Sequence, residues 1–151
     1  LGSNLSSDWV IWFDFTTATG TYNLLPINIQ SGTGLYNAGS QNGLGLNHAS
    51  TDSGIQIVHT SGGTSTVSST KVTLSTSTLY YVTLTKSGST ITAEFFTDSD
   101  RTSSTGSTSM TISGTAGDSL RYIHHSIHTS VSQSITASGD NLKIYDGVTT
   151  A

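Results

Sequence analysis

The segment Trp9-Val10-Ile11-Trp12-Phe13-Asp14-Phe15 sets an indole and a carboxylate two positions apart in a run of β-forming residues. Side chains alternate across a strand, so Trp12 and Asp14 share a face, while Trp9, Ile11, Phe13 and Phe15 form an unbroken apolar set on the other. The apolar set is expected in the core, and Val10, Trp12 and Asp14 on the face the core does not need. An exposed ring beside a carboxylate suits recognition of a sugar: the ring covers the apolar face of a pyranose and the carboxylate accepts hydroxyl protons. Tyr81 is expected as a further edge contact.

A second group of polar rings lies in Arg121-Tyr122-Ile123-His124-His125-Ser126-Ile127-His128. The isoleucines mark an inward side, which puts Tyr122, His124 and His128 together on the outward one. Two imidazoles four positions apart on a strand are separated by roughly 13 Å, too far for one metal ion. A row of flat polar rings serves a glycan-binding face better, or is simply a solvated strand carrying histidines. Asp98-Ser99-Asp100 offers oxygen ligands but lacks the later glycine and glutamate of an EF-hand loop, and its carboxylates are expected to cap a turn. No Gly-x-Ser-x-Gly elbow is present to support a serine hydrolase.

These residues need strands to position them. Runs rich in β-branched and aromatic residues alternate with Gly, Ser, Asn and Asp clusters, and predict strands near 9–16, 22–30, 43–47, 54–60, 71–75, 79–86, 90–97, 108–113, 119–129 and 139–146. The clearest pair spans Tyr80 to Thr97. There Tyr80, Val82 and Leu84 share one face, Ile91, Ala93 and Phe95 another, and Lys86-Ser87-Gly88-Ser89 supplies the turn. The hydroxyl-rich stretches 61–70 and 99–109 are expected as surface loops. No helix is required. Sheets with one apolar face must bury it against each other, so the expected fold is an all-β, two-sheet antiparallel sandwich.

Composition narrows the function. The 151 residues suit one domain, read as spanning 1–151, with 9% charged residues, about a third serine plus threonine, and a formal net charge of −4. Nucleic acid is excluded as a partner by the five dispersed cations Lys71, Lys86, Arg101, Arg121 and Lys143, too few for a phosphate-tracking face. No stretch has the length and apolarity for membrane insertion. The lack of cysteine removes thiolate metal sites. Asn4-Leu5-Ser6 is a lone glycosylation sequon, consistent with an extracellular surface.

Several segments carry a resemblance. Tyr80-Tyr81-Val82-Thr83-Leu84-Thr85-Lys86-Ser87-Gly88-Ser89-Thr90-Ile91-Thr92 resembles the central hairpin of laminin G-like domains, and Gly139-Asp140-Asn141-Leu142-Lys143-Ile144-Tyr145-Asp146-Gly147 their closing strand. Leu120-Arg121-Tyr122-Ile123 is similar to their penultimate strand and WVIWFDF to an early one. The resemblance covers Asp8 to Gly147 and implies a concanavalin A-like jelly roll with a concave, often sugar-binding sheet. It also implies a structural calcium ion held near Asp140, with Asn141 beside it. Hydrolytic relatives of that fold cluster carboxylates on one strand, since glycoside hydrolysis needs two about 5–9.5 Å apart. Here the sole glutamate, Glu94, has no acidic partner two positions away.

The expectation is therefore a non-catalytic carbohydrate-binding module, part of a larger extracellular, cell-surface or virion-surface protein. Its glycan contacts would be Trp12, Asp14, Tyr81, Tyr122, His124 and His128. The alternative is a structural or adhesive module that binds protein or spaces other domains of a parent protein, with no sugar site.

Overall fold

A computed structural model describes residues 1–5, 7–17, 23–32, 42–49, 54–112, 120–127 and 138–151. Within them the chain forms β1 (Trp9–Thr16), β2 (Asn23–Gln30), β3 (Gly43–Ala49), β4 (Gly54–Ser61), β5 (Thr64–Val67), β6 (Val72–Thr73), β7 (Leu79–Ser87), β8 (Thr90–Phe96), β9 (Ser104–Thr111), β10 (Tyr122–Ile127) and β11 (Ser138–Asp146). The strands make two antiparallel sheets. One has the order β11-β1-β7-β8-β9 and the other β10-β2-β3-β4-β5, with β6 also paired to β4.

The sheets close on a common apolar layer, as the alternation in the sequence requires. Trp9, Ile11, Phe13 and Phe15 of β1, Val82 and Leu84 of β7, and Ile91, Ala93 and Phe95 of β8 meet Ile27, Ile29, Leu44, Leu46, Ile55 and Ile57 of the facing sheet. Burial of these side chains drives the association, at about 25 cal/mol for each Å² of apolar surface removed from water. Ser87 and Thr90 close the β7–β8 hairpin around Gly88, whose φ of 55° suits a residue without Cβ at the first central position of the turn. Asp8 accepts the Gly88 amide proton, and Lys86, buried on β7, donates its ammonium to the Ser7 carbonyl, so the residues before β1 are tied to this turn.

Three expectations about elements need correction. Thr64–Val67, expected as loop, is the edge strand β5, and the expected loop 99–109 gives up its second half to the edge strand β9. Both are exposed along most of their length, so neither carries an apolar alternation, and backbone pairing together with hydroxyl bonds from Ser65, Thr66, Thr105 and Thr108 orders them. The expected strand 71–75 contracts to the two residues of β6. There the chain turns from one sheet to the other. Ser68 accepts from the Ile57 amide and donates to the Thr70 carbonyl, while the buried Thr108 hydroxyl donates to Ser68 Oγ, so hydroxyls close this end of the sandwich.

Candidate functional site

The register of β1 with its two neighbours assembles the candidate site on the outer face of the five-stranded sheet. Trp12 stands opposite Thr83 of β7 and Lys143 of β11, and Asp14 opposite Tyr81 and Asp140. Residues directly opposite in an antiparallel pair share a face. Trp12, Asp14, Tyr81, Lys143 and Asp140 therefore come together from three strands that are distant in sequence.

A bulge sharpens this arrangement. Between Trp12 and Asp14 the pairing with β11 slips, so that Lys143 to Asp140 spans one residue more than Trp12 to Asp14. Asn141 sits in the slipped segment at a φ of 54°, a left-handed conformation that Asn tolerates better than most residues. Its side-chain amide donates to Asp14 Oδ2 at 2.7 Å, and Asp140 Oδ1 accepts the Asn141 backbone amide proton at 2.8 Å.

The other oxygen of Asp14 is taken by a residue that sequence reasoning did not select. Arg101, from the loop between β8 and β9, donates from Nη2 to Asp14 Oδ1 at 3.2 Å. Its guanidinium carbon lies 4.6 Å from the Trp12 ring centroid and 5.8 Å from that of Tyr81, within cation–π range of both. Lys143 Nζ is 5.8 Å from the Trp12 centroid, and Tyr145 meets the indole edge-on at 5.3 Å. Asp98 shapes the loop that delivers Arg101: its carboxylate accepts the backbone amide protons of Thr102 and Ser103 and the Thr102 hydroxyl. The Thr102 amide, followed by that of Ser103, holds the Asp98 pKa down at about 2.

The exposure expected for this face is corrected accordingly. Asp14 is 5% exposed and Val10 1%, and Trp12 is half-buried instead of open. With both carboxylate oxygens bonded, Asp14 acts as the anchor that orients Asn141 and Arg101. What remains is a cleft of about 480 Å³. Trp12 and Tyr81 supply its rings, Arg101 and Ser99 one wall, Asp140, Asn141 and Lys143 the opposite wall, and Thr16, Leu79 and Ser138 its end.

No protein-family model matches the chain, and no curated protein matches it.

Tyr122 and His124 do not join this cleft, because β10 belongs to the other sheet. Tyr122 pairs with Gln30 and is half-buried, with the Arg121 guanidinium 6.0 Å from its ring centroid. A register shift between His124 and Ser126 interrupts the alternation that the expected row of rings assumed. His128 lies outside the described residues. His124 instead lines a second cleft, of about 530 Å³, where the edges of the two sheets meet. Phe13, Ile27, Ile123 and Leu142 give that cleft an apolar lining, and Asp14, Asp140 and Asn141 form a wall common to both clefts.

The same wall holds the expected calcium position. A calcium ion takes six to eight oxygen ligands at about 2.3–2.6 Å. Here Asn141 presents its N–H to Asp14, Arg101 brings a positive charge to the same carboxylate, and one Asp140 oxygen is engaged by a backbone amide. Among the described residues, no three His, Cys, Asp or Glu side chains are grouped to hold a metal ion. As arranged, this donor set does not fit calcium. Glu94 is half-buried on β8 between Thr83 and Ser107, and does not line the cleft.

Proposed function

We propose that the chain is a non-catalytic carbohydrate-binding module of an extracellular or virion-surface protein, and that its glycan docks in the cleft above β1, β7 and β11. The observation that carries this reading is the convergence of the Trp12 and Tyr81 rings with Asn141, Arg101, Asp140 and Lys143 around one cleft of about 480 Å³. A cleft of some 300–1,000 Å³ with rings and a few fixed polar groups is the usual form of a small-ligand site. The rings would cover a sugar's C–H face while the amide, carboxylate and ammonium groups select its hydroxyls. The resemblance of the β7–β8 hairpin and of β11 to laminin G-like domains supports the same reading.

The test is a glycan array followed by affinity electrophoresis of the wild type and Trp12→Ala. The expected result is binding to at least one glycan, weakened about 30-fold by the substitution, the scale of a hot-spot aromatic worth ~2 kcal/mol. Far-UV circular dichroism should show the fold unchanged. A folded Trp12→Ala protein with undiminished retention would remove this cleft from consideration.

One observation favours the second reading, an adhesive or spacer module. Arg101 already stacks on the Trp12 ring, so the platform partners a side chain of its own chain. An array with no binder would favour that role.

A further inference from the structure

We propose that the cleft between the edge strands β5 and β9 is a second ligand site, for an uncharged polyhydroxylated molecule, with His59 as its buried anchor. The proposal does not rest on the Trp12 cleft, which is built from other strands.

Alternation along β4 puts Ile55, Ile57 and His59 on one face, turned toward the facing sheet. The two isoleucines are fully buried in the core. His59 comes next, where the sandwich opens between β5 and β9, and lines a cleft of about 500 Å³. His59 is 6% exposed, yet its Nε2 has no hydrogen-bond partner in the protein. Buried polar groups are nearly always paired, so an unpaired imidazole nitrogen beside a cleft is a group kept for something that enters it. Burial lowers the His59 pKa below 6.5, which leaves the ring neutral at physiological pH.

The lining defines the ligand class. Thr64 of β5 and Ser109 and Thr111 of β9 carry exposed hydroxyls at the rim, the Thr66 hydroxyl donates to the His59 carbonyl, and Val67, Met110 and Ile112 contribute apolar surface. No Asp, Glu, Lys or Arg is among the described lining residues. An ionic ligand would find no countercharge there, and a purely apolar one would strand the hydroxyls and the imidazole. A molecule with hydroxyls on its rim and C–H faces, such as a neutral sugar ring, satisfies both. The hydroxyls of Ser68 and Thr108 are spent on each other and on the Thr70 carbonyl, so they brace the cleft and are not counted as contacts.

The experiment follows the His59 ring protons by NMR while methyl glucoside, methyl galactoside, xylobiose and glycerol are titrated separately into the wild type and into Trp12→Ala. The expected result is a saturable shift of the His59 signals with at least one sugar, with a Kd of about 1 mM and the same in both proteins. His59→Phe should weaken that binding roughly tenfold or more while leaving the melting temperature equal or higher, because it removes an unpaired buried nitrogen. A merely structural histidine would give the opposite, a lower melting temperature. Thr64→Val and Ser109→Ala, at the exposed rim, should weaken binding without disturbing the core, and they serve if His59→Phe does not fold. The proposal is overturned if no probe moves the His59 signals, or if the rim variants bind as the wild type does. Failure of Trp12→Ala to lose glycan retention would leave it standing.

Discussion

Arg101 Nη2 and Asp14 Oδ1 are 3.2 Å apart, and this ion pair fastens the β8–β9 loop to β1 across 87 positions of sequence. Asp14 is on a strand paired on both sides, whereas Arg101 reaches it from the loop between β8 and β9. Removing either partner should cost about 1–3 kcal/mol, since it strands a largely desolvated charge or its bonded neighbours. Because the two residues act together, Asp14→Ala with Arg101→Ala should cost less than the sum of the single substitutions, by at least about 0.5 kcal/mol. Urea unfolding of the four proteins measures the coupling. Strict additivity would mean that the pair adds nothing to stability.

A second relationship is purely steric. Gly45 of β3 stands opposite Asn28 of β2, and a Cβ built on it would lie 2.5 Å from the Ile27 carbonyl oxygen and 3.0 Å from Asn28 Cα. Both are backbone atoms in a paired strand and have little room to yield. Gly45→Ala should therefore destabilise the protein by about 1–3 kcal/mol, the usual cost of overpacking. At Gly43 the nearest contact, to the Ile29 carbonyl oxygen, would be 3.2 Å, so Gly43→Ala should cost less. Equal shifts in the urea midpoints of the two variants would contradict this ordering.

How far the sequence anticipated these features depended on whether a residue's surroundings were local. The alternation in WVIWFDF placed Trp9, Ile11, Phe13 and Phe15 in the core, and the same period placed Val82, Leu84, Ile91, Ala93 and Phe95 there. Trp12 and Asp14 were legible as neighbours because they share one face of one strand, whereas the pairing of β1 with β7 that sets Tyr81 opposite Asp14 shows only in the fold. Arg101 was not legible, since only a loop folding back over the sheet brings it to Trp12. That same loop is why Asp14 is buried on a face expected to be open. β5 and the first half of β9 escaped notice because edge strands exposed along most of their length are rich in hydroxyls and show no apolar period, and only the end of β9 fell within the expected strand 108–113. Tyr122 and His124 were not legible as lying apart from Trp12, because nothing in a strand's own period says which sheet it joins, and β10 joins the sheet that does not contain β1.

Acid should act on this loop through Asp98. Its carboxylate holds the Thr102 and Ser103 amides, and its pKa falls from 3.8 to about 2 for that reason. A depressed folded-state pKa means that the stabilisation is complete above 3.8 and is lost as pH falls through about 2. Asp98→Asn presents an amide nitrogen where an oxygen now accepts, so it should melt at a lower temperature than the wild type at neutral pH. The gap should close between pH 3.8 and about 2, where the wild type loses the same bonds. Because Arg101 sits at a φ of 55° within this loop, its backbone amide bonded to the Asp98 carbonyl, loss of the cap should also withdraw the guanidinium from Trp12. Indole fluorescence reads that event directly, with Trp12→Phe reporting the contribution of the buried Trp9. A wild-type emission spectrum that stays constant from neutral pH to about 2 would show that Asp98 does not hold Arg101 in place.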